Sequence, residues 1–248
     1  MAILEKPQDN QPAFVLHTYA YRETSLIVET LTQHAGRVAL LARGARRSRS
    51  AVRGLLMAFQ PLTLSWFGKH ELRTLKNAEW QGGQRPLAGA ALMCGFYLNE
   101  LLIKLLPRDD PHPQLFLYYQ QTLKELAEGA PQAVALRRFE KCLMQELGYA
   151  LLLQEEAVNA RPIEAQTAYF YDMELGPRRA DNGVRSERPA MQNGVQLRGK
   201  TLLDIAQDNY SDPITLAQAK QLMRALISHQ LGSENLQTRQ LLKDLQEL

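Results

Sequence analysis

Two cysteines, Cys94 and Cys142, are all that the 248 residues contain, and no CxxC pair occurs. A disulfide framework or a four-cysteine zinc site within one chain is thereby excluded, and both thiols are expected to be free and buried in a reducing compartment. There is no GxxxxGK[ST] phosphate loop, no HExxH and no GxSxG, and the five histidines (His17, His34, His70, His112, His229) are scattered. Taken together, these absences favour a binding protein over an enzyme, with no metal, cofactor or catalytic residue to assign. The pair Asp109-Asp110 sits in a proline-rich stretch, LPRDDPHP, where a turn or helix-start role is expected rather than metal-ion catalysis. The N-terminal MAILEKPQDNQ lacks the apolar core of a signal peptide. The most apolar run, Leu87–Leu106, is broken by Asn99, Glu100 and Lys104 and reads as a buried helix rather than a membrane span, so a cytoplasmic location is expected. No internal repeat is visible.

One further absence carries a positive message. From Thr30 to His70 there is no Asp or Glu, yet Arg37, Arg43, Arg46, Arg47, Arg49, Arg53 and Lys69 fall in that window. Residues 1–80 hold 11 Lys/Arg against 6 Asp/Glu, and residues 81–248 hold 18 against 20, so the net charge of +3 is concentrated at one end. The segment RGARRSRSAVRG is flexible through Gly44 and its serines. An arginine fork donates paired hydrogen bonds to phosphate, and each phosphate neutralised releases condensed counterions. These seven basic residues are the expected nucleic-acid contacts; the plainer reading is a solvated basic loop. Among the nearby aromatics, Phe14, Phe59 and one of Trp66/Phe67 are expected in the core, leaving Tyr19 and Tyr21 as candidates to stack on unpaired bases.

The first eighty residues read as strands: Ala13–Thr18, Ser25–Thr32, Arg37–Ala42, Leu55–Phe67 and Glu71–Glu79, separated by turn signals. Five short strands in this length fit a small closed barrel of the OB type. From Leu87 the period becomes helical, with Phe116, Tyr119, Leu123 and Leu126 on one face and Leu136, Phe139, Leu143 and Leu147 on another. Residues 159–200 break that pattern: Ala168–Leu175 and Val195–Arg198 look extended around a polar loop, Gly176–Asn193. Pro213 then opens a helix that ends at Gly232, and an amphipathic tail occupies 234–247. The expected class is α+β multidomain: a five-stranded OB barrel over 1–81, then an α-helical bundle domain over 82–248 with a small irregular or β insertion at about 150–200.

The residues from Ala13 to Leu62 resemble the start of the RecO family: the ETS turn (Glu23-Thr24-Ser25), GRV (Gly36-Arg37-Val38), the KGAR-like Arg43-Gly44-Ala45-Arg46, and the strand near Gln60-Pro61-Leu62. Further on, GFYLNELL (Gly95–Leu102) resembles the family's YxNELL helix, and ALRRFEKCLMQELGY (Ala135–Tyr149) its LRxFExxLLxxLGY helix. LGSENLQTRQLL (Leu231–Leu242) is similar to LGxKxLxSR, without the Lys and with Thr238 for the Ser. The resemblance implies a non-enzymatic recombination mediator. Such a protein binds single- and double-stranded DNA, anneals strands and, with RecR and often RecF, loads RecA onto strands coated by single-stranded DNA-binding protein (SSB), in the cytoplasm and at the nucleoid during repair. Many relatives carry four zinc-binding cysteines after LGY; this chain has none there, so that region is expected to be a diverged, cysteine-free version. In the family the acidic SSB tail docks on the helical domain. Arg137 is expected to pair with its carboxylate, beside Arg138, Leu136 and Phe139; the competing reading is an i,i+3 pair between Arg137 and Glu140. Two other function classes stay open: an OB-fold nucleic-acid-binding adaptor without annealing activity, and a nuclease using Asp109 and Asp110.

Overall fold

The computed structural model describes residues 8–149, 151–180, 194–238 and 240. The chain divides into two compact units, residues 1–132 with 236–248, and residues 133–235.

In the first unit, five strands close a barrel in the order β1-β2-β3-β5-β4: β1 (Gln8–Tyr21), β2 (Ser25–Thr32), β3 (Gly36–Ala42), β4 (Leu62–Phe67) and β5 (Leu72–Trp80). All neighbours are antiparallel except β3 and β5, which pair in parallel from Ala39↔Leu72 to Leu41↔Thr74. This connectivity, with helix α1 (Ala51–Leu55) inserted between β3 and β4, is that of the OB-like barrel the sequence suggests. Val15, Val28, Val38, Leu40, Leu62, Leu64 and Trp66 fill the interior. Leu55–Phe67 is not the single strand expected. Phe59 adopts φ 66° and Pro61 has no N–H for a ladder, so residues 56–61 form an irregular link before β4 begins.

Ala13–Leu16 are all buried, because β1 is covered on both faces. Its outer face meets α2 (Gly89–Leu105) and α3 (Pro113–Ala127): the Phe14 ring lies 5.5 Å from Phe116 and 5.2 Å from Tyr119. The β1–β2 register slips between Val15 and His17, which leaves Leu16 in a bulge. The Leu16 carbonyl accepts instead from Asn99 Nδ2 at 2.7 Å, and Asn99 Oδ1 accepts from the Tyr119 hydroxyl at 2.5 Å. Gly95 is required by close packing, since a Cβ there would lie 2.7 Å from Leu87 and 2.9 Å from Phe59. The Gly and Asn of GFYLNELL thus join α2 to the barrel. The same motif's Glu100 accepts from the backbone N–H groups of Gln237 and Thr238 and from the Thr238 hydroxyl at 2.6 Å. Threonine keeps the hydroxyl that a serine would place there. Residue 239 and the remainder of the expected tail, from 241, lie outside the described residues.

The second unit contains α4 (Gln132–Glu146, from Ala133), a three-stranded sheet β7-β6-β8, α5 (Gly199–Ala206) and α6 (Pro213–Leu231). The sheet comprises β6 (Ala168–Asp172), β7 (Gly176–Arg179) and β8 (Gly194–Arg198). Part of the expected loop from Gly176 is therefore strand: Asp172 Oδ1 accepts from the N–H groups of Glu174 and Leu175, an Asx turn that folds β6 back onto β7. Residues 181–193 lie outside the described residues. Asp212 caps α6 at Ile214 N–H, Pro213 fills its first turn, and Gly232 (φ 60°) ends it. Phe139 and Leu143 are buried and Leu136 and Leu147 half-buried. Cys142 is buried, and burial together with nearby Glu146 pushes its thiol up to about 12. No helix among the described residues is long and apolar enough to cross a membrane.

Candidate nucleic-acid interface

The basic loop grows directly out of β3. Gly44 takes φ 70°, Ala45 is fully buried, and consecutive turns bond Arg47 N–H to Gly44 O (3.1 Å) and Ser50 N–H to Arg47 O (3.1 Å). The loop is seated on the β1–β2 turn: Arg46 N–H donates to Thr24 O at 2.9 Å and its guanidinium to Arg22 O at 3.0 Å. Arg43, Arg46, Arg47, Arg49 and Arg53 are all exposed. None of Arg43, Arg47, Arg49 and Arg53 has an ion-pair partner among the described residues. Keeping four like charges on one short segment is unfavourable without counterions, which is the condition that a polyanion relieves.

The structure brings Tyr21 and Arg22 to this loop. The Arg22 guanidinium lies 5.3 Å from the centre of the Tyr21 ring, so one ring face is covered. Arg22 had escaped the sequence argument because Glu23 and Glu29 follow it; its place in the turn that receives the basic loop is the signal that finds it. Tyr19, 45% exposed, stacks edge-on with His17 at 4.5 Å and borders a groove of about 640 Å³ shared with Phe96, Met93 and Ile103 of α2. Lys69 stands on the separate β4–β5 turn. Beside it, Phe67 is 50% exposed while Trp66 is buried, which settles which of that pair belongs to the core.

Arg37 has a different place. Its Nη1 pairs with Glu29 at 3.0 Å and its Nε donates to the Leu106 carbonyl at 3.0 Å, while Arg108 also binds Glu29. Glu29 is buried and sits one residue before the acid-free window, so the sequence count missed it. Gly36 allows this brace: a Cβ there would fall 2.1 Å from the Asp110 carbonyl oxygen. Asp109 lies in that turn with φ 60° and pairs with Arg73 at 2.8 Å; Asp110 faces His112 at 3.4 Å, and neither caps α3. Among the described residues no three His, Cys, Asp or Glu side chains are grouped to hold a metal ion.

In the second unit, Arg137 is buried and pairs with buried Glu140 at 2.5 Å, whereas Arg138 on the next position is exposed. The i,i+3 partner Glu140 that competes for Arg137 is therefore in place, and Arg138 is the exposed cation beside it. In the region where the sequence lacks the family's cysteines, Arg179 donates to Glu156 at 2.7 Å and also binds Glu164. The hydrogen bonds from Arg179 hold both carboxyls below their usual range.

The family model described as "Recombination protein O N terminal" matches residues 7–83, and "Recombination protein O C terminal" matches residues 87–240. The chain is 53% identical over 248 residues to the DNA repair protein RecO of Nitrosospira multiformis, covering 100% of both chains. It is 53% identical to that of Dechloromonas aromatica over 99% of both chains, and 50% identical to that of an Azoarcus species over 97% of both. An OB-like barrel bearing an exposed basic loop, a helical region with a small sheet, and matches spanning both parts place this chain in the RecO family of DNA repair proteins.

Proposed function

We propose that this chain is a recombination mediator that binds single- and double-stranded DNA through residues 1–81 and anneals complementary strands. With RecR, and with RecF where that partner acts, it loads RecA onto SSB-coated single strands in the cytoplasm. The observation that carries the reading is the set of exposed arginines on one loop of the barrel, four of them without ion-pair partners among the described residues. Arg43, Arg46, Arg47, Arg49 and Arg53 hold phosphates, with Arg22 alongside and Lys69 contributing from the separate β4–β5 turn. Tyr19, Tyr21 and Phe67 offer faces to unpaired bases. Arg37 braces the barrel through Glu29. Residues 82–248 serve the protein partners. There the SSB tail's carboxylate meets Arg138, the exposed cation beside half-buried Leu136, and Arg137 and Phe139 support that helix from within.

Annealing of complementary oligonucleotides coated with SSB tests the reading. The wild-type chain accelerates annealing, and the variant Arg43→Ala/Arg46→Ala/Arg47→Ala/Arg49→Ala loses most of that acceleration. DNA binding by the wild type without annealing would instead favour an OB-fold adaptor. For the tail contact, Arg138→Ala weakens a tail peptide more than Leu136→Ala does; unchanged affinity in Arg138→Ala would refute that contact.

A further inference from the structure

The chain has two tryptophans with opposite exposure. Trp66 is 1% exposed in the barrel core, and Trp80, the last residue of β5, is 58% exposed. Across the β4–β5 ladder Trp80 pairs with Leu62, which faces the barrel interior. Cross-strand partners share a face, so the Trp80 indole stands on the inward side of the sheet at its last rung. Its N–H has a long contact with Gln60 Oε1, 3.4 Å.

An exposed tryptophan alone is ordinary. Here its surroundings supply a direction. Gly82 and Gly83 follow with φ 74° and 85°; a Cβ on Gly82 would lie 4.0 Å from Trp80 Cη2, and one on Gly83 would meet nothing within 4 Å. The ring therefore borders bare backbone. That backbone lines an open polar groove of about 610 Å³ together with Pro61, Arg85, Gln120, Lys124 and Glu128. Arg85 and Lys124 are exposed and have no ion-pair partner among the described residues, and Glu128 is the one carboxylate of the lining. Two cations in a groove whose Gly82 wall also borders a flat π face, neither cation with an ion-pair partner among the described residues, suit a strand with regular phosphates and unpaired bases. A polar lining of this kind serves an apolar peptide poorly. The chain also connects this place to the basic loop: the loop runs into α1, α1 packs on β5, and Gln60 holds the indole.

We propose that Trp80 is a stacking platform for an unpaired base and that Arg85 and Lys124 hold the neighbouring phosphates, extending the single-strand path beyond the basic loop. This rests on the reading of the barrel as a DNA-binding unit. The test uses the full chain and an unlabelled oligo-dT of about twenty bases, read by tryptophan emission. Binding is measured in parallel by anisotropy with labelled oligo-dT and with a duplex. Trp66 is sequestered and contributes a constant background, so a change in emission on binding reports Trp80. Oligo-dT quenches the emission; Trp80→Ala abolishes the quench and lowers single-strand affinity about tenfold, leaving duplex affinity unchanged. Trp80→Phe retains a ring and keeps most of the affinity. Arg85→Ala/Lys124→Ala lowers the salt slope for oligo-dT by about one. Tight binding by anisotropy with steady emission and an unaffected Trp80→Ala would overturn the proposal and leave the DNA-binding reading standing. No oligo-dT binding by the wild type would overturn both.

Discussion

In the barrel's basic loop, Arg43, Arg47, Arg49 and Arg53 are exposed without ion-pair partners among the described residues; in the second unit, Arg137, Arg179 and Arg198 each close on a carboxylate of their own unit. The residue type is the same and the outcome opposite. A guanidinium with an internal partner has its charge compensated and its donors in use, so it acts as a brace. One without a partner keeps its field and its fork for an external anion. Arg37 shows that the division follows the partner and not the unit, because within the barrel it binds Glu29 as the second-unit arginines bind their acids. Charge counts along a sequence cannot make this separation, since the acid that claims an arginine is set by the fold.

The comparison can be broken at its strictest point, Glu29. Replacing it by Gln removes the buried carboxylate shared by Arg37 and Arg108 and leaves, among the described residues, only exposed Glu71, 3.8 Å from Arg108, as counter-charge, and stability falls by about 3 kcal/mol in urea unfolding. Arg37 is engaged with Glu29 and the Leu106 carbonyl, so DNA affinity per folded molecule is expected to stay unchanged; a large loss of affinity would make Arg37 a DNA contact. Asn99→Ala removes a neutral brace instead. The Leu16 carbonyl and the Tyr119 hydroxyl lose their partner, at a cost of about 2 kcal/mol, and Asn99→Asp does not rescue it because a carboxylate has no donor for Leu16 O. Thr238→Val removes the hydroxyl given to Glu100 and costs about 1 kcal/mol, whereas Thr238→Ser is nearly neutral. The smallest effect is in pH. Glu156 and Glu164 have depressed folded-state pKa values, so their stabilising contribution is full above the ordinary carboxylate range and is lost as pH falls from there through the lowered folded-state values. Arg179→Ala flattens the acid limb of the thermal-melting profile; an unchanged limb would show that this brace does not couple to stability.

Much of the barrel was legible because its strands follow the period-two pattern and end at turn residues: β2 begins and ends where Ser25–Thr32 was expected, and Leu62, Leu64 and Trp66 all face the core. The link at 56–61 was not, because Phe59 is an apolar residue in a left-handed conformation held by Gly95 packing and by a bond from Gln84 to its carbonyl, contacts tens of residues away. Helix α5 was hidden for a different reason: its eight residues span about two turns, too few for a helical period to declare itself. In the candidate site, the basic loop stood out in the sequence as an acid-free run, but nothing there told that Arg37 would be claimed by Glu29 and by Leu106, 69 residues away. Arg137 had its competing partner in plain view at i+3, and the fold buries both groups as an ion pair, which the sequence alone could not show.

The most direct test of the central claim is the salt dependence of single-strand binding. The affinity of the wild type and of the variant Arg43→Ala/Arg46→Ala/Arg47→Ala/Arg49→Ala is measured between about 50 and 200 mM salt. Four lost phosphate contacts reduce the slope of log affinity against log salt by about 3, with the affinity itself falling about a hundredfold at the low-salt end. Equal slopes for the two proteins would mean that the exposed arginines do not touch the phosphates, and would contradict the assignment of the interface to this loop.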